Sequence, residues 1–464
     1  MDEQLNQNRP SNPRRRKRTT AQIIKEDYLP VVIIGITAIM ILTFIIGSIV
    51  RGVQEKQYKN QQLQEASIAA QEEYERLSAE ADALLSEAHD LAKHFDYAGA
   101  ISVLDRFQGD LTKFHTLTER REEYVKASEN LNAWSDPSQV IHLSFQPLIA
   151  DPTRAFNDAT YGNSYKNNYV TVDEFSKILL QLYENGFVLV RLSDLTAKDG
   201  GMELMLSNGK KPLIITETHV NYNTYMVDGD GDKLPDKAGD GFASRLLVDE
   251  NGNLTCELVN ADGTITTGAY DIVPILNSFI ETHPDFSYKG AKAVLALTGY
   301  DGLFGYRTTP SAAEYFGKSF YDEQVNNAKA VISAVRENGY ELACYSYENE
   351  SYGNFTPEQI KSDMDKWNNE VVPLLGSLDT FVFCRNSDIG EANTSYTGAK
   401  FEMLQSYGFK NYVGFSSGGK CWYVNCGDYN RMGRILVTGN NMKTHADWFD
   451  GIFDSSSLLD TARN

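Results

Sequence analysis

The chain has 464 residues and a formal net charge of -20 at pH 7, too long for one ordinary domain and ample for a large core. So acidic a body lacks the clustered Lys and Arg that neutralise phosphates, which excludes nucleic acid as an expected partner. The exception is residues 1–27, where Arg9, Arg14, Arg15, Arg16, Lys17, Arg18 and Lys25 stand against four acids.

Residues 28–50, "YLPVVIIGITAIMILTFIIGSIV", then run without a charge. At 1.5 Å per residue such a helix spans a hydrocarbon core of roughly 30 Å. The run is longer than the apolar part of a cleavable signal peptide, and no small-residue cleavage site follows before Arg51. It reads as an uncleaved signal anchor. The positive charge before it keeps residues 1–27 cytoplasmic, so the expectation is a single-pass protein of the cell membrane with its main domain extracellular.

Residues 51–135 come next. Positions 52–132 contain no proline, are rich in Glu, Gln, Ala, Lys and Leu, and place apolar residues at helical spacing. Within them "ALLSEAHDLAKHFDYAGAISVLDRF" (residues 83–107) resembles one tetratricopeptide-type helical hairpin. A helical, coiled-coil-like stalk is expected, one through which two copies could associate. His89, His94 and His115 fit packing or solvated positions there better than ligand positions.

"WSDPSQ" (residues 134–139) is a polar turn containing a proline and marks the boundary to a domain over residues 136–464. The texture then alternates. "VIHLSFQPLI" is a strand, "TVDEFSKILLQLYENGFVLVRLSDL" a capped amphipathic helix and strand, and "PLIITE" a strand. "DIVPILNSFIETHPDF" is a helix and "GAKAVLALTGY" a strand, while "EQVNNAKAVISAVRENGYELACYSY" and "TGAKFEMLQSYGFKNYVGF" each repeat helix then strand. Several helices stop at Asn-Gly or Tyr-Gly. Such repetition calls for parallel strands covered by helices, as a barrel or an open wound sheet.

Two further patterns concern ions and redox state. "DGDGDKLPD" (residues 228–236) sets Asp228, Asp230, Asp232 and Asp236 at positions 1, 3, 5 and 9, the spacing at which carboxylates converge on calcium. It resembles the Asp-rich loops of thrombospondin type 3 and dockerin repeats, but has Lys233 where Gly normally permits the turn and Gly239 at the twelfth position. A candidate calcium site and a plain acidic turn are both consistent with it. The five cysteines cannot all pair within the chain. Cys421 with Cys426, and Cys344 with Cys384, are the pairs considered, against a reading of simply buried thiols.

The series "DEFSKILLQLYENGFVLVRLSDL", "KPLIIT…HVNYNTYM", "LTGYDGLFGYRT" and "GYELACYSY" resembles the polysaccharide deacetylase (NodB-homology, carbohydrate esterase) family over about residues 140–442. It is most similar to long, membrane-anchored Gram-positive members. The resemblance implies a distorted (β/α) barrel with its site at the carboxyl ends of the strands. It also implies hydrolysis of acetyl groups on wall polysaccharides by a divalent metal, held by one Asp and two His, beside a carboxylate base.

The framework matches while the reactive positions depart from the family's pattern. Where the family has two adjacent acids, this chain has Thr218 and His219; where it has two histidines, this chain has Tyr345 and Asn349. The third motif reads Cys384-Arg385-Asn386-Ser387, and an early Phe-His-x-Leu reads Phe145-Gln146-Pro147-Leu148. Tyr and Asn are poor ligands for zinc-like metals. The expectation is therefore a pseudo-enzyme with no zinc site, binding cell-wall polysaccharide or a wall-synthesis partner. The alternative is an active N- or O-deacetylase whose zinc or other divalent metal sits in a site rebuilt from His219 with Glu217, Glu348 or Asp388, although Glu217 is out of phase by one residue on its strand.

Aromatic residues are plentiful, with 26 Tyr and 22 Phe clustering in segments that fall on loops. A sugar groove of Gln146, Tyr222, Tyr300, Tyr306, Arg307, Cys384 and Arg385 is expected at the barrel mouth. Arg431 and Arg434 in "RMGR" would contact an acidic sugar or pair with local carboxylates. His142, His283 and His445 have no visible partner.

Overall fold

A computed structural model describes residues 17–196, 202 and 204–463. Arg9, Arg14, Arg15 and Arg16 of the basic tail lie outside the described residues. The chain forms two compact units, the first ending at Asp82 and the second running from Ala83. The uncharged run lies in helix α1 (Leu29–Lys93). Among the described residues this is the one helix long and apolar enough to cross a membrane, its most apolar window having a mean hydropathy of 2.8 and no buried residue.

The second unit opens with the expected helical hairpin. After α1 the chain reverses at Phe95, whose φ of 63° is left-handed. Asp96 then caps α2 (Tyr97–Leu104) by accepting from the Gly99 amide at 3.1 Å, and α2 packs on α3 (His115–Glu129). The turn expected to divide two domains, residues 134–139, falls inside this unit, for a physical reason. Phe95 is buried in a cluster with Val140, Val190 and Tyr288, and the Lys289 amide donates to the His94 carbonyl at 2.7 Å. Strand Leu131–Trp134 pairs antiparallel with Leu204–Ser207. The hairpin is thus packed on the barrel rather than standing apart from it.

Seven parallel strands close that barrel: β1 (Ile141–Phe145), β2 (Lys211–Thr218), β3 (Val294–Leu297), β4 (Glu341–Cys344), β5 (Thr380–Val382), β6 (Asn411–Phe415) and β7 (Asn430–Leu436). They run in the order β6-β5-β4-β3-β2-β1-β7, and β7 pairs back with β6. Period-2 alternation sorts their side chains into two layers. Ile214, Ala296, Ala343, Val382, Val413 and Met432 share the inner cluster. Their neighbours Leu143, Ile215, Leu295, Leu342, Phe381 and Tyr412 pack outward in the larger cluster, which also holds helix residues such as Phe175, Ile178, Leu276 and Val331. The covering helices obey the stops seen in the sequence: Gly186, Gly339 and Gly408 take φ of 81°, 88° and 90° after their Asn or Tyr. A three-stranded antiparallel sheet, Arg245–Val248, Leu254–Val259 and Ile265–Gly268, is inserted after β2.

The barrel is unevenly sewn. Strands β6 and β7 share five paired positions, but β7 and β1 share only Ile435 with Leu143 and Leu436 with Ser144. Arg434, fully buried on the inner face of β7, spans that weak seam. Its Nε donates to Ser144 Oγ at 3.1 Å and its Nη1 to the carbonyls of Val413 and Gly414 at 3.0 and 2.9 Å. Nη2 donates to the Phe383 carbonyl at 2.7 Å. One guanidinium thereby ties the carboxyl ends of β1, β5, β6 and β7, with the Phe415 ring 4.5 Å away. Replacing it removes four buried hydrogen bonds, including those to the Gly414 and Phe383 carbonyls, so Arg434→Ala is expected to cost about 3–5 kcal/mol in denaturant unfolding. A change below about 1 kcal/mol would show that the seam holds without it.

Candidate functional site

The carboxyl ends of the strands surround a cavity of about 640 Å³. Thr218, the last residue of β2, points inward and donates from Oγ1 to the Phe145 carbonyl at 3.2 Å. The chain then turns at His219, φ 60°, whose imidazole meets the Tyr345 ring edge-on with centroids 4.9 Å apart. Tyr345 follows β4, held by its amide to the Leu297 carbonyl at 2.7 Å. Asn349, in the next loop at φ 56°, accepts through its carbonyl from Arg385 Nε at 2.6 Å. Arg385 and Asn386, after β5, are both at φ 52°. Four residues lining one cavity therefore hold a left-handed backbone that non-glycine residues seldom adopt, and strain of this kind gathers at functional sites.

Thr218, His219, Tyr345 and Asn349, drawn from distant parts of the chain, thus converge on one cavity. Burial pushes the His219 imidazole down to about 4; Arg385 pushes the same way and the Asn349 side chain opposes. At neutral pH it is an uncharged ring. Burial raises the Tyr345 phenol above its ordinary value. Among the described residues no Asp, Glu or Cys lines the cavity, and His219 is its one imidazole. One imidazole with a phenol, an amide and a hydroxyl does not fit a zinc-like ion, which requires imidazole, thiolate or carboxylate in numbers.

The carboxylates considered for a rebuilt site are engaged elsewhere. Glu348 pairs with Lys366. Asp388 holds Arg431 at 3.0 Å and the Tyr396 hydroxyl at 2.5 Å. Glu217 is buried on the outer side of β2, as its phase requires, beside Asp271. Asp271 Oδ1 accepts from the amides of Leu148 and Ile272 at 3.0 and 2.9 Å. Burial raises both carboxyls; Asp271 raises Glu217 further, while the Leu148 and Ile272 amides and Glu217 hold Asp271 lower, so the pair retains one proton, on Glu217, well above the usual carboxylate range.

Of the expected groove residues, Gln146, Tyr300 and Arg385 line the cavity. Tyr222, Tyr306, Arg307 and Cys384 do not; all four are buried. Arg307 braces loops through the carbonyls of Lys233 and Asp301 at 3.2 and 3.1 Å, and the Cys384 thiol donates to the Tyr345 carbonyl at 3.0 Å. Arg431 and Arg434 are also withdrawn, each fully buried. The cavity instead takes in Asn168, Tyr169, Tyr225, Phe415 and Thr438. Tyr225 was within sight, since it follows Tyr222 by three positions. Asn168 ends the short helix Gly162–Asn168 and Tyr169 follows it, in a stretch whose sequence carries no such signal.

Elsewhere, the carboxylate oxygens of Asp228, Asp230 and Asp232 lie within 4.8 Å of one another, while Asp236 is outside that group. Lys233 adopts φ 72°, the left-handed geometry for which Gly is usual, and its amide donates to Asp228 Oδ2 at 2.8 Å. All five cysteines are free thiols. Cys344 faces outward and Cys384 inward, which keeps them from pairing. His142 lies inside the barrel with its Nε2 2.7 Å from Thr216 Oγ1.

No family model and no curated protein matches the chain. Among solved structures it is similar to Streptococcus pyogenes deacetylase PplD in complex with acetate, at 9% identity and a TM-score of 0.34, over 67% of this chain and 95% of that one.

The Glu217–Asp271 pair generates a pH signature. Its folded-state pKa is raised, so the folded chain keeps a proton that the unfolded chain releases above about pH 4.5. The pair's contribution is therefore fully present in acid and is lost as pH rises towards the folded value. Glu217→Gln should gain stability relative to the natural protein between pH 5 and 8, by up to about 1.4 kcal/mol per pH unit. Parallel pH–stability curves for the two proteins would refute the shared proton.

Proposed function

We propose that this chain is a membrane-anchored, extracytoplasmic polysaccharide deacetylase-like protein that has lost its metal and base and binds cell-wall glycan, or a partner in wall synthesis. One observation carries the reading. The four positions where the family would hold its reactive groups meet in one cavity at the carboxyl ends of a parallel barrel, and none is a carboxylate. The cavity is otherwise suited to a sugar: tyrosines offer faces, while Gln146, Asn168 and Thr438 offer polar groups. The uncharged helix behind Lys17, Arg18 and Lys25 supports export of the barrel.

Three properties of the purified full-length protein test this together. Acetate release from N-acetylated wall glycan is expected to match a protein-free control, and zinc, cobalt and nickel are expected to be substoichiometric. The same glycan is expected to bind, and Tyr300→Ala to weaken it about tenfold, the loss of one aromatic contact. Stoichiometric metal with metal-dependent acetate release would instead establish a hydrolase.

The cation we assign to the chain is calcium, at Asp228, Asp230 and Asp232, supported by the close approach of their carboxylates. Equilibrium dialysis at roughly millimolar calcium should recover one ion per chain and lose it in Asp228→Asn. No binding at that concentration would leave a plain acidic turn.

A further inference from the structure

The protein is strongly acidic, yet eighteen residues line the barrel mouth without one carboxylate among them. The charge that remains there is a single cation, Arg385, beside an imidazole that burial keeps neutral. Every other arginine considered near the groove is withdrawn: Arg307, Arg431 and Arg434 are buried and hydrogen-bonded within the fold.

Arg385 differs from them in each respect. It is exposed, and among the described residues it has no ion-pair partner. Among the described residues its side chain makes one hydrogen bond, from Nε to the Asn349 carbonyl at 2.6 Å. That bond anchors the guanidinium at Nε and, among the described residues, leaves Nη1 and Nη2, its paired outer donors, without a protein partner. Both loops that make the bond hold left-handed backbones, at φ 56° for Asn349 and 52° for Arg385. Alongside, His219 Nδ1 and Asn349 Oδ1 are buried without a hydrogen-bond partner, so the floor of the cavity also has unused polar capacity. A planar, oriented fork with two free donors matches the geometry of an oxyanion.

We infer that the barrel mouth selects an acidic glycan, whose carboxylate or phosphate is received by Arg385 while the tyrosines hold the sugar ring. This rests on the glycan-binding reading above and narrows it. The same chemistry disfavours a glycan carrying free amines, because no carboxylate in the cavity would meet an ammonium group. The protein would thus reject the product of a deacetylation while accepting acidic sugars.

Titration calorimetry on the full-length protein in detergent tests this with four probes. They are a tetrasaccharide alternating N-acetylglucosamine with glucuronate, an oligomer of N-acetylglucosamine joined through phosphodiesters, a neutral N-acetylglucosamine tetramer and its fully de-N-acetylated counterpart. One of the two anionic probes is expected to bind about tenfold more tightly than the neutral tetramer, with the amine form weakest. Which of the two leads identifies carboxylate or phosphate. Arg385→Ala should collapse the anionic-to-neutral affinity ratio towards one, and Arg385→Lys should restore it in part. Because Arg385 is exposed, near-ultraviolet circular dichroism should be unchanged in both variants. If the neutral tetramer binds as well as either anion, and Arg385→Ala leaves the ratio as it was, selection of an oxyanion is overturned while glycan binding stands. If none of the probes binds, the glycan reading itself falls.

Discussion

The buried guanidinium of Arg434 is the constraint on which the barrel mouth depends. The strand pairings of this parallel barrel are uneven, and two of them, β7 with β1 and β4 with β5, share no more than two paired positions. Across the β7–β1 seam Arg434 reaches Ser144 Oγ, and on its other side it answers the buried carbonyls of Val413, Gly414 and Phe383, groups that are costly to leave short of donors in a low-dielectric interior. Arg434 answers four acceptors at once, from β1, the loop after β5, and β6. An isolated cation in a protein interior is normally expensive. Here it is hydrogen-bonded by its Nε and by both outer nitrogens, which is the condition under which such a group is tolerated. The residues around it, Ser144, Phe415 and Tyr345, are also those of the cavity floor, so closure of the fold and shape of the site share one anchor.

The cavity is lined without a carboxylate and with one neutral imidazole, so it lacks the ligand set that a zinc-like ion requires. A metal-assisted hydrolysis needs several anionic or imidazole ligands and a base, and these repel one another until the metal arrives. Thr218, Tyr345 and Asn349 carry no charge, so no such repulsion acts in this cavity. The backbone at His219, Asn349, Arg385 and Asn386 is left-handed. Such conformations cost of order 1–3 kcal/mol each. Rigid placement of side chains by such a backbone serves ligand recognition as much as catalysis.

Reading the sequence recovered what periodicity controls. Alternating helices and strands, the Asn-Gly and Tyr-Gly stops, the apolar span and the outward phase of Glu217 all follow from local spacing, and each is present. Strands β5 and β7 do not stand out in the sequence, because the three residues Thr380–Val382 carry too little pattern and the run Asn430–Leu436 is interrupted by the buried cations Arg431 and Arg434. The inserted antiparallel sheet was passed over although its turns are marked by Asn251-Gly252 and Asp262-Gly263, with glycine φ of 84° in each. Site residues divided by a different rule. Those carried by strand ends, such as His219 and Tyr345, were found. Arg307 and Cys384 misled because exposure depends on how long loops fold back, and no local pattern reports that.

The turn at Phe95 bears on where this molecule can be divided. Because that ring sits among Val140, Val190 and Tyr288, the helical hairpin closes the underside of the barrel core. Strand Leu131–Trp134 adds an edge to the same floor. A fragment beginning at residue 136 would open an apolar socket to water at the face opposite the mouth, and two such fragments would have matching sticky surfaces. The smallest self-sufficient piece of the chain therefore begins near Ala83, where the contacts themselves part.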